Sequence, residues 1–82
     1  MIVKVYVSYK KGVLDPQGKA VHESLKSLGY SEFEEVRMGK YFEIKISDDV
    51  KDKNLIEEKI KEISEKVLSN PIMEVYHFEI EE

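Results

Sequence analysis

Cysteine is absent from this sequence, arginine occurs once, and histidine and proline occur twice each. Without cysteine there is no disulfide, no thiolate nucleophile and no zinc-thiolate site, which fits the reducing cytoplasm. His22 and His77 have no second histidine at metal-ligand spacing, and no neighbouring residue pattern marks either as an oriented general base. No metal and no cofactor is therefore expected. Long apolar runs are missing too. The opening MIVKVYVSYKK alternates apolar residues with charges, so neither an export signal nor a membrane span is expected. Basic charge is outnumbered, 13 Lys and Arg against 17 Asp and Glu, for a net charge of −4. An acidic surface has nothing to neutralise on a nucleic acid or an anionic membrane, so neither is an expected partner.

The 82 residues suffice for one domain spanning 1–82 with a modest core. Val3, Val5, Val7 and Tyr9 alternate with Lys4, Tyr6 and Ser8, the period of a half-buried strand. From Pro16 to Leu28, Val21, Leu25 and Leu28 recur at helical spacing, and Gly29 follows as a helix terminator. Two strands are expected next, at Phe33 to Met38 and Tyr41 to Ser47, joined by a tight Gly39-Lys40 hairpin in which Gly39 supplies a positive φ. Asn54 and Glu57 have capping-box spacing ahead of a second helix running to about Ser69, whose stripe is Ile56, Ile60, Ile63 and Val67. Asn70-Pro71 stops it, and IMEVYHFEIEE alternates as a last strand with Tyr76, Phe78 and Ile80 on one side.

The order β-α-β-β-α-β predicts an α+β fold, a ferredoxin-like two-layer sandwich with an antiparallel sheet and two helices on one face. Its other face carries Tyr6, Tyr41 and Ile2 beside Lys and Glu. A partly aromatic open face on so small a domain predicts self-association as a dimer or a dimer of dimers.

GVLDPQGKA, Gly12 to Ala20, has the outline of a phosphate loop but fails its chemistry. A P-loop needs four residues between its glycines and a hydroxyl after its Gly-Lys to ligate magnesium. Here five residues intervene, Ala20 replaces the hydroxyl, and Pro16 removes one of the amides a phosphate would use. The local chemistry is that of a helix start, with Asp15 as N-cap and Pro16 at the first helical position. Arg37, the sole arginine, stands just before Met38-Gly39-Lys40, where a guanidinium can anchor an interface or clamp an anion.

Four segments, VYVSYKKGVLDPQGKAV, LKSLGY, VRMGKYFEI and LSNPIMEVYHFEI, together resemble the PurS family, the small subunits of phosphoribosylformylglycinamidine synthase. The likeness covers essentially the whole chain. Its most specific pieces are Leu14 to Gly18 and Arg37 to Tyr41, whereas Asp48 to Lys53 is least informative. The resemblance implies a subunit of an ATP-dependent amidoligase in de novo purine biosynthesis with no active site of its own. It would join a glutaminase subunit to a large synthetase subunit and support ammonia transfer between them. The candidate interface residues are Asp15, Pro16, Gly18, Lys19, Arg37, Gly39 and Lys40, and no catalytic, cofactor or metal residues are expected. The alternative on the same element order is an ACT-like regulatory module binding a small molecule near Gly12 to Gly18, whose melting temperature free amino acids would raise. A stand-alone acylphosphatase is disfavoured because the first loop has lysines but no arginine.

Overall fold

The computed structural model describes residues 1–82. Strand β1 (Ile2–Tyr9) is central, flanked by β2 (Gly39–Lys45) and β3 (Glu74–Glu81), both antiparallel to it, in the order β2-β1-β3. Helix α1 (Pro16–Ser27) lies between β1 and β2. Helix α2 (Lys53–Ile63) continues into a π-helical turn, Ser64–Leu68, before β3. The α+β class, the antiparallel sheet and the two helices agree with the sequence reading.

Alternation decides the two faces of the sheet. Val3, Val5 and Val7 are fully or almost fully buried and pack with Ile56 and Ile60 of α2, while Phe42, Ile44, Tyr76, Phe78 and Ile80 surround them half-buried. On the opposite face Tyr6 pairs across strands with Tyr41 and His77. Its ring centroid lies 5.3 Å from that of Tyr41 and 5.9 Å from that of His77. Two residues along β1, Lys4 reaches diagonally past its cross-strand partner Glu79 to bind Glu81 at 2.7 Å, which raises the lysine pKa.

Three expectations are corrected. Phe33 to Met38 forms no strand, and Gly39 begins β2 in extended backbone instead of turning a hairpin. The positive-φ glycines are Gly12, at φ 85°, and Gly29, at φ 96°. The reason is competition for the segment's backbone from residues distant in sequence. His22 Nε2 lies 2.6 Å from the Phe33 carbonyl and Asp15 takes the Met38 amide, so this stretch follows α1 and leaves the β2 edge open. Second, α2 is capped by Asp52, whose carboxylate accepts from the Leu55 amide at 3.2 Å, two residues before Asn54. Third, Val67 is 74% exposed, while Ser64 is fully buried and Leu68 packs on the core. A π-turn inserts one extra residue, rotating the residues beyond it by about 100° and moving the apolar stripe from 67 to 68.

α1 contributes no side chain to the core cluster or to the residues packed around it. The chain extends 51 × 25 × 15 Å with a radius of gyration of 16.4 Å, against about 12 Å for a compact chain of this length. An eight-residue strand spans only about 26 Å. The remaining length belongs to an arm made of α1 and the returning segment 30–38.

Candidate functional site

Where the arm joins the sheet, four segments meet: the end of β1, the loop through Gly12, the first turns of α1 and residues 34–37. They enclose a cleft of about 500 Å³ lined by Lys10, Lys11, Lys19 and Arg37 together with Asp15, His22, Glu34 and Glu35.

Asp15 organises the junction. As the N-cap it accepts the Gly18 amide on Oδ1 at 2.9 Å, and on Oδ2 it accepts the Met38 amide at 2.7 Å. One carboxylate thus closes the start of α1 and fastens the start of β2 to it. These two amides, with the Gln17 amide and the Arg37 charge adding to them, hold the Asp15 carboxyl below the usual aspartate range. The Arg37 guanidinium donates to the Tyr9 carbonyl, tying the returning segment to the end of β1. Gly18 is buried because the Val36 carbonyl passes directly over it, and a Cβ there would collide with that oxygen.

The seven sequence-designated residues therefore separate by role. Asp15, Lys19 and Arg37 line the cleft. Pro16 opens the helix and Gly18 lets the backbone pass, both structural duties. Gly39 begins β2 opposite Ser8, where a Cβ would strike the Val7 carbonyl, and Lys40 is an exposed residue of the same strand. Arg37 is a fastener within the chain as well as a surface cation. Lys10, Lys11 and His22 were not singled out as site residues. The adjacent lysines at the end of a strand were the available signal for two of them, whereas His22 reaches the cleft through a turn of helix that spacing alone does not place.

None of Lys10, Lys11, Lys19, Arg37 and Lys40 is in an ion pair, whereas Lys4, Lys53 and Lys66 pair with Glu81, Glu82 and Glu62. Both oxygens of Asp15 are taken by amides, and the carboxylate of Glu74 accepts the Asn70 amide at 2.7 Å. This end of the sheet thus carries unpaired cations, beside a fully engaged Asp15 and the unpaired carboxylates of Glu34 and Glu35. No group of three or more His, Asp or Glu side chains is arranged to hold a metal ion.

A family model described as PurS, phosphoribosylformylglycinamidine (FGAM) synthase, matches residues 2–82. The chain belongs to the PurS family. It is 48% identical over 80 residues to the phosphoribosylformylglycinamidine synthase subunit PurS of Bacillus subtilis (strain 168), covering 98% of this chain and 92% of that one. A crystal structure of B. subtilis PurS, 47% identical, superposes with a TM-score of 0.83 over 99% of this chain and 98% of that one. A chain of the PurLQS structure from Thermotoga maritima, 25% identical, superposes with a TM-score of 0.78 over 96% of each chain. Since PurS neighbours align over almost the entire chain, the projecting arm lies within the span that they share with it. No helix is long and apolar enough to cross a membrane.

Proposed function

We propose that this chain is the PurS subunit of a phosphoribosylformylglycinamidine synthase in de novo purine biosynthesis. In this reading it joins the glutaminase subunit to the large synthetase subunit, supports ammonia transfer between them, and assembles as a dimer or dimer of dimers. The carrying observation is the family match over residues 2–82. The site's chemistry is in keeping with it. The cleft gathers cations and carboxylates around no nucleophile, metal cluster or oriented acid-base pair, which suits docking better than turnover. Its free lysines suit an acidic patch on a partner subunit, with complementarity steering the encounter and fixing the orientation.

Copurification with the glutaminase and synthetase subunits from the same source is the direct test. The informative variant is Lys19→Ala combined with Lys40→Ala, because both side chains are exposed and neither is in an ion pair. The expected outcome is an unchanged melting temperature, weaker assembly and a several-fold lower glutamine-dependent rate at limiting subunit, recovered at higher concentration. Ammonia supplied directly should restore the rate if the role is coupling of the two active sites. Wild-type affinity with a full glutamine-dependent rate would remove this end of the molecule from the interface.

A further inference from the structure

The cleft between arm and sheet gathers charges of both signs that do not pair with each other. Lys10 and Lys11 follow β1 and Lys19 belongs to α1, whereas Glu34 and Glu35 belong to the returning segment. None of the five is in an ion pair, although Lys4, Lys53 and Lys66 elsewhere on the surface all find carboxylates. Opposite charges around one cavity attract across it, because the Debye length at physiological salt is about 8 Å. The other titratable groups of the lining are committed within the chain: Asp15 to the Gly18 and Met38 amides, Arg37 to the Tyr9 carbonyl and His22 to the Phe33 carbonyl.

Backbone donors add to the free set. The amides of Lys11 and Gly12, in the loop that lines the cleft, donate to no acceptor within the chain. The N-terminus of α1 adds nothing, because Pro16 has no amide proton and Asp15 holds the Gly18 amide. At about 500 Å³ the cleft is of the size that takes a small molecule. Three ammonium groups and two carboxylates are thus left for an occupant. A purely anionic ligand would satisfy the lysines and be repelled by Glu34 and Glu35, and a simple cation would do the reverse. A ligand that carries both signs, with one negative charge in excess, answers the whole set.

We propose that the cleft binds a free acidic amino acid, aspartate or glutamate, with its two carboxylates on Lys10, Lys11 and Lys19 and its ammonium group on Glu34 and Glu35. Bound in this way, the ligand links the returning segment to β1 and α1 across a junction otherwise held by Asp15, Arg37 and His22. The inference goes beyond the subunit reading and does not rest on it, since a small ligand and an acidic partner surface would draw on the same lysines.

The test is titration of the full chain with L-glutamate at constant ionic strength, followed through amide shifts by NMR. Exposed charge pairs are individually weak, so saturable shifts at Lys11, Gly12, Glu34 and Glu35 are expected with a Kd of about 1 mM. Glutarate, which keeps both carboxylates and lacks the ammonium group, should bind about tenfold more weakly or worse. All five charged side chains are exposed, so their variants should fold. Glu34→Gln with Glu35→Gln should abolish the preference for glutamate over glutarate, and Lys10→Ala with Lys19→Ala should weaken both ligands. Shifts that fail to saturate far above that concentration would overturn the site. Glutarate binding as tightly as glutamate, or a preference that survives the double glutamine variant, would overturn the assignment of an amino acid. Copurification with the other subunits is a separate measurement, so failure of this site and failure of the subunit reading are told apart.

Discussion

Gly18→Ala tests whether the arm is held rigidly, because two effects of opposite sign compete at that position. Gly18 lies inside α1, where alanine is the better helix former by about 0.8–1.0 kcal/mol. Helix propensity alone therefore predicts a more stable protein. Against this, the added Cβ would overlap the Val36 backbone carbonyl and stand 2.6 Å from Asp15 Oδ2, the oxygen that holds the Met38 amide. A backbone carbonyl cannot rotate away as a side-chain tip can. Segment 34–37 must move, and Arg37 and Met38, each bonded elsewhere in the junction, resist it. Overpacking against such groups costs about 1–3 kcal/mol, so the net expectation is destabilisation by up to about 2 kcal/mol. For a domain of this size that lowers the melting temperature by about 4–8 °C per kcal/mol. Chemical denaturation at fixed protein concentration measures the first quantity and calorimetry the second. Hydrogen exchange supplies a local readout, since the Met38 amide should lose protection before the β1 amides do. A variant as stable as the parent, with the Met38 amide still protected, would refute the reasoning by showing that 34–37 yields freely.

Two further perturbations probe other parts of the fold. The Ser64 hydroxyl is fully buried with no hydrogen-bond partner, so Ser64→Ala should be neutral or stabilising by up to about 1 kcal/mol in urea denaturation. A clear loss of stability would mean that the hydroxyl is satisfied. The Asp15 carboxyl titrates below its ordinary range when folded, so its contribution is present above the unfolded aspartate value of about 4 and is lost as pH falls through the lower folded value. The stability difference between wild type and Asp15→Asn, read from denaturation midpoints, should therefore be level at neutral pH and shrink in acid. A difference unchanged throughout the acid range contradicts the Asp15 latch.

Strict alternation made the three strands legible, because burying one face of a sheet admits only one phase of a period-two pattern. The Asp15 cap and the Gly29 stop were legible for the same kind of reason: each answers a local demand, for an amide acceptor or for a left-handed backbone. Misreadings arose where contacts between remote residues outweighed local preference. Gly39 between two apolar stretches resembles a hairpin, yet Asp15, 23 residues upstream, claims the Met38 amide and the strand before the turn is lost. The π-turn at Ser64 shifts the helix register by one residue, and the heptad-like spacing of Ile56, Ile60, Ile63 and Val67 carries no sign of it. The candidate site was half visible. Asp15, Lys19 and Arg37 do line one cleft, but Gly18 and Gly39 are small because neighbouring carbonyls press on them, a constraint invisible until the chain is folded.

The division between core and arm bears on how such a subunit would respond to assembly. Five apolar residues make up the buried core, all from β1 and α2, so the sheet's stability depends little on α1. α1 is instead fixed by polar contacts at its base: two amides on Asp15, a guanidinium on a carbonyl, and a histidine against Phe33. Hydrogen bonds of this kind are individually worth only about 0.5–1.5 kcal/mol, yet they are directional. They set the angle of the arm more strongly than they bind it. Whatever covers the exposed stripe of α1 would supply the missing apolar stabilisation, and through the shared Asp15 and Arg37 contacts it would also fix the shape of the cleft. An occupied arm and a well-formed cationic end are in that sense one equilibrium, so self-association and docking of an acidic partner should reinforce each other.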